Sequence, residues 1–153
     1  MATFRDLTEY SYARSEPGVL NVGWLGAESE FMTADPSPEF LRALVRGAFE
    51  DHNVMRGLQN CNFCDLESGG FGVLIDDDGS VRYWDKSIIE PPAWLGTGEI
   101  RVTSEKGVTY AAPTLVVHYV LDHHYAPPEE FVEAMLYQFG DQTAAADPAP
   151  GDS

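Results

Sequence analysis

At 153 residues, with 44% hydrophobic and 12% aromatic side chains, the chain is one domain long and can build a core of its own. Its formal net charge is −16, from 25 acidic against 9 basic residues. That balance argues against nucleic acid, whose phosphates require clustered Lys and Arg, and against an anionic membrane surface. It suits a basic protein partner or plain solubility.

The first 18 residues read as extended and turn-like, closing on Glu16-Pro17-Gly18. They contain no apolar central region of the kind that drives export, and no later run approaches the ~20 residues of a membrane span. The expected location is therefore cytoplasmic. Val19 to Leu25 reads as a strand with Val22 and Trp24 on one face. Ser37 is placed to cap a helix from Pro38 to about Glu50, since proline at the first helical position loses no hydrogen bond. Phe40, Leu41, Leu44, Val45, Ala48 and Phe49 form its apolar stripe.

Phe71 to Ile75 and Ser80 to Trp84 flank an Asp-Gly turn and predict a β-hairpin. The acid run Asp76-Asp77-Asp78 is not a calcium loop. Counting from Asp76, the sixth and twelfth positions are Val81 and Ser87, where an EF-hand needs Gly and Glu. Ile88 to Gly98 reads as an irregular crossing. Glu99–Thr103 and Val108–Ala111 predict a second hairpin.

Ala112-Pro113-Thr114 then leads into a helix from Leu115 to about His124. Pro127-Pro128 stops it and opens a last helix, with Phe131, Val132, Met135, Leu136 and Phe139 inward and Gly140 at its end. Residues 141–153 are small, polar and proline-bearing, which predicts a disordered tail after a single domain over 1–140. The expected fold class is α+β: an antiparallel sheet built from hairpins and packed against about three helices.

Two spacings carry chemistry. Cys61 and Cys64 form a C-x2-C pair, and, with 53 residues between, His118 and His123 form an H-x4-H pair. Thiolate and imidazole are zinc ligands, and Cys2His2 is a recurrent structural set. Two thiolates also neutralise one Zn²⁺, so a filled site is buried at little electrostatic cost. Five helical residues turn through ~500°, leaving ~140° between the two histidines on a regular helix. The second can turn inward only where the helix loosens, and Tyr125-Ala126-Pro127-Pro128 offers that place, since residues before proline avoid the α region. His124 is the competing fourth ligand. Plain packing of these side chains, a redox CxxC, and histidines acting as catalytic bases without a metal are the other readings; the thioredoxin-like βαβ setting of a redox pair is missing.

Leu20–Leu25, the Cys61/Cys64 pair, Gly98–Val102, Tyr110–Val120 and His123–Phe131 together resemble an uncharacterised family of small, mostly actinobacterial proteins. The resemblance covers most of residues 19–135 as separated blocks. Its pattern is a CxxC followed by a histidine pair ahead of Tyr-x-Pro-Pro. It implies a shared fold and a metal site at Cys61, Cys64, His118 and His123, favouring His123 over His124, and it implies no activity. The segment between Cys64 and Gly98 is longer here than the family pattern.

The sequence thus predicts a small acidic zinc protein whose zinc is structural, because four protein ligands leave no place for water. Its expected role is to bind another protein, as an interaction, immunity-type or accessory module. The alternative is a small hydrolytic or biosynthetic zinc enzyme with an open coordination position and Asp122 or Glu129 as base.

Overall fold

The computed structural model describes residues 4–10, 16–26, 30–50, 61, 63, 72–85, 87–95 and 98–141. Its elements run β1 (Glu9–Tyr10), β2 (Glu16–Asn21), α1 (Pro38–Phe49), β3 (Gly72–Ile75), β4 (Val81–Tyr83), β5 (Ala93–Trp94), β6 (Glu99–Thr103), β7 (Thr109–Pro113), α2 (Val116–His123) and α3 (Glu129–Phe139). The fold is α+β with three helices, but the strands divide between two sheets. One has the order β1-β2-β7-β6; the other, β4-β3-β5, is antiparallel throughout.

The expected all-antiparallel sheet is corrected at β2, which pairs in parallel with β7 through Val19↔Thr109, Leu20↔Tyr110 and Asn21↔Ala111. Parallel neighbours need a long crossover, supplied here by everything between α1 and β6. The predicted strand over Val19–Leu25 also ends early, at Asn21. Gly23 has φ +79, which no pleated strand accommodates, and a side chain placed there would press on Val116. The chain turns at that point. Val22 enters the main core, while Trp24 joins Tyr10 and Ala111 in a separate cluster, so the two do not share a face.

Both predicted hairpins form. β3 and β4 pair as Val73↔Tyr83, Leu74↔Arg82 and Ile75↔Val81, and β6 and β7 pair from Glu99↔Pro113 to Thr103↔Thr109. The irregular crossing contains a short strand that sequence reasoning missed, β5, paired with β3. Two residues carry too little periodicity to be seen.

α1 starts as predicted: the Ser37 hydroxyl accepts the Phe40 N–H at 3.1 Å, with Pro38 in the first turn. Phe40, Ala43, Leu44, Val45, Gly47 and Ala48 are buried, and Phe49, expected inward, stands 48% exposed. Gly47 permits close approach, since a Cβ there would meet Ile100 and Met135 at 3.0 Å. In α3, Phe131, Ala134, Met135 and Phe139 are buried and Gly140 caps the end.

Asp141, the first residue of the predicted tail, is held firmly. Its carboxylate accepts from Arg42 Nε and Nη2 at 3.0 and 2.6 Å and from Arg46 Nη2 at 2.9 Å. Arg46 also donates to the carbonyl of Phe139 at the end of α3 (2.8 Å). The rest of the predicted tail, 142–153, lies outside the described residues.

Hydrogen bonds from the two arginines hold the Asp141 carboxyl well below the usual carboxylate range. A depressed folded-state pKa stabilises the fold above the unfolded value, ~3.9, and that contribution disappears as pH falls through the depressed one. Denaturant midpoints followed downward from about pH 5 should therefore fall less steeply in Asp141→Asn than in the parent chain. The difference is small, because the pair is partly solvated. Identical acid limbs would show that the carboxylate contributes nothing to the fold.

Candidate metal centre

β7 runs almost directly into α2, so this helix starts inside the core. Val116, Val117, His118, Tyr119 and Val120 are all buried, a run of five consecutive positions, as in a helix that is covered on every side. His118 is therefore interior by placement, at 0% exposure.

The helix ends in a widened turn. The N–H of His124 bonds back to the carbonyl of Tyr119, five residues earlier, and Tyr125 N–H reaches the same carbonyl at 3.1 Å. A five-residue bond winds fewer degrees per residue than an α-turn, which brings side chains at i and i+5 toward one line. The rings of His118 and His123 meet at 4.9 Å, nearly perpendicular. The loosening expected ahead of the prolines is thus present, but it is made by His124 itself, left-handed at φ +58. That conformation sends the His124 side chain to the surface, where its Nδ1 lies 3.6 Å from Asp35.

Cys61 arrives from a distant part of the chain. Its Sγ lies 3.3 Å from His123 Nε2 and accepts the Phe63 N–H at 3.3 Å, so the backbone after it curls over the sulfur. One ligand atom from each of Cys61, His118 and His123 lies within 4.8 Å of the other two. Around a tetrahedral zinc, with Zn–S ~2.3 Å and Zn–N ~2.0 Å, neighbouring ligand atoms stand ~3.5 Å apart; Cys61 and His123 already meet that spacing, and the group as a whole closes by at most about 1 Å to grip one ion. Cys64, the other half of the predicted thiolate pair, lies outside the described residues.

Around the group stands an apolar wall. Phe63 packs edge-on against Tyr119 at 5.7 Å and lies 5.4 Å from the His123 ring, and Phe31 bridges Phe63 and Tyr125. The polar side is equally ordered. Tyr83, from β4, donates to Asp122 Oδ2 at 3.0 Å and lies 2.9 Å from His118 Nδ1, which is itself 3.1 Å from Asp122 Oδ2.

An ionised carboxylate only accepts. Tyr83 therefore spends its proton on Asp122, and His118 Nδ1–H is the donor to both oxygens. The proton on Nδ1 leaves Nε2 with the lone pair. Burial pushes the His118 pKa below the ordinary histidine value, with the charge of His123 adding to it and Asp122 opposing. Neutral imidazole with a fixed tautomer is the form that a metal takes.

Asp122, one of the two candidate bases, stands four residues after His118 on the same helix face and meets that ring as its hydrogen-bond partner. Glu129, the other candidate base, is exposed in the first turn of α3. Nothing in the sequence pointed to Tyr83, which reaches the histidine only through the hairpin's placement.

Comparison with protein families decides the relationship. The profile of a family described as Domain of unknown function (DUF7919) matches residues 2–136. The chain belongs to this family. No curated protein and no solved structure matches it. For this DUF7919 member, the matched span takes in both hairpins, the Cys61 segment and α2. Among the described residues, no helix is long and apolar enough to cross a membrane.

Truncating Asp122 tests the orienting role. Asp122→Ala should weaken metal binding about 10–100-fold, the usual cost of losing a histidine's outer partner, and Tyr83→Phe should cost less. Competition with a chelator of known affinity reads both. Equal affinity in all three proteins would leave the carboxylate without this function.

Proposed function

We propose that the chain is a zinc-stapled interaction protein, in which Cys61, His118 and His123, with Cys64 as fourth ligand, hold a structural Zn²⁺. The observation that carries this reading is the convergence of three ligand-bearing side chains, two of them buried and His123 partly so. Two come from one helix and one from a segment more than fifty residues earlier, and one imidazole has its tautomer already fixed. Ligand softness selects the metal: a thiolate with imidazoles suits zinc far better than magnesium or calcium, which take oxygen. The acidic surface fits a basic protein partner, and an ion buried among Phe63, Tyr119 and His118 serves to tie the fold together. Elemental analysis of protein purified without added metal tests the reading, with about one zinc per chain expected. A chain free of transition metal and unaltered by added zinc would overturn it.

A shallow cleft of about 360 Å³ favours a second reading. It is lined by Thr33, Ala34, Asp35, His123 and His124 and opens beside one of the ligands. If Cys64 is not a ligand, the three remaining donors leave a coordination position that this cleft connects to solvent, as in a zinc enzyme. Cobalt(II) substitution separates the two readings. The four-coordinate spectrum should change in Cys64→Ser if that thiolate is bound, and stay the same if water fills the position.

A further inference from the structure

Away from the metal centre, the β3–β4 hairpin, the end of α1 and residues 87–91 bound a cleft of about 910 Å³. Ile89 is 94% exposed and Phe49 48% exposed, so two large apolar side chains face water at its edge. Around them stand Asp76, Asp77, Asp78 and Glu90, against Arg82 as the one positive charge among the described residues that line the cleft. Arg82 is already committed to Asp76 at 3.0 Å, and Asp78 to the Ser80 hydroxyl and N–H within the turn. The hairpin is in regular register, so the wall is formed before anything binds, which lowers the entropic cost of docking.

We propose that this cleft docks a basic segment of a partner protein, one that carries an aliphatic or aromatic anchor among lysines or arginines. Charge complementarity selects the occupant. Among the described lining residues, four carboxylates against one committed guanidinium repel acidic segments, and a second copy of this chain brings another −16. The apolar rim demands more than a polycation, because Ile89 and Phe49 gain only by being covered with apolar surface. A divalent cation is disfavoured, since two of the carboxylates are taken up inside the turn and the loop lacks the EF-hand Gly and Glu. The proposal rests on the reading of the chain as an interaction module and not on the metal: none of the metal group lines the cleft.

The test titrates the full chain into a fluorescently labelled peptide of alternating lysine and leucine, with an oligolysine of equal charge as control. The parent chain should prefer the lysine–leucine peptide by about tenfold or more. Ile89→Ser should erase that preference, while Asp77→Asn with Glu90→Gln weakens both peptides and flattens the salt dependence. At 94% exposure, Ile89 contributes little to folding, and an unchanged melting curve confirms it. Equal binding of the two peptides, or indifference to Ile89→Ser, overturns the proposal. So does calcium binding that the acidic variant abolishes in a chain that ignores both peptides. Zinc measured in the same samples keeps the readings apart: a zinc-free chain that still discriminates at Ile89 sinks the metal centre and leaves the cleft standing.

Discussion

Cys61→Ser should strip the chain of metal and lower its stability by about 4 kcal/mol, the linkage expected of a ligand held at a thousand times its dissociation constant. Serine nearly matches cysteine in volume, so the loss reports coordination rather than a cavity. His118→Ala should cost more, because it also empties a fully buried site and adds a cavity term of about 2 kcal/mol. A strong chelator divides the metal's share from the packing share. It should lower the melting temperature of the parent chain and leave both variants where they are, since binding and folding are one equilibrium at such a site. A parent chain that melts at the same temperature with and without chelator would refute the coordination account, whatever the variants do.

The second large effect is expected at Gly23→Ala, a loss of about 2–5 kcal/mol. It has two parts: a left-handed backbone conformation forced on a residue with a Cβ, about 1–2 kcal/mol, and overpacking of a filled interior, about 1–3 kcal/mol. The φ of +79 supplies the first, and the methyl would sit 2.6 Å from Val116 Cγ2 and 3.7 Å from the ring of Tyr125. Both neighbours matter. Val116 opens the helix that carries His118, and Tyr125 donates to Asp6 at 2.6 Å while Asp6 accepts the Gly23 N–H at 2.9 Å. A double-mutant cycle separates the parts: Val116→Ala in the Gly23→Ala background should return the steric share and leave the conformational share. Strict additivity of the two substitutions in denaturant titrations would mean that the methyl never meets Val116.

What the sequence disclosed follows from how local each signal is. The Ser37-Pro38 start of α1 and the Asp-Gly turn between β3 and β4 are written in adjacent residues, and the structure has both. So are the H-x4-H spacing and the need for a helix to loosen between the two histidines. Long-range pairing was illegible. Nothing in Val19–Asn21 says that its neighbour is Thr109–Ala111 and lies parallel, and Trp24 was misplaced because Gly23 reverses the face on which a regular strand would put it. Tyr83 was invisible for the same reason, since its bond to His118 exists only once the hairpin is laid against α2. His124 is a different case: spacing left it open as a competing fourth ligand behind His123, and its left-handed backbone makes it the device that aims its neighbour.

The parallel seam between β2 and β7 has a consequence for how the chain comes into being. Leu20 waits for Tyr110, so through most of translation the early strand has an open hydrogen-bonding edge with no mate. A nascent polypeptide of this kind gains little by collapsing early, because the mate of its early strand lies some ninety residues downstream. Ribosome-bound intermediates halted before residue 109 should be vulnerable to proteases and to one another, and release from that vulnerability should come abruptly once β7 clears the exit tunnel.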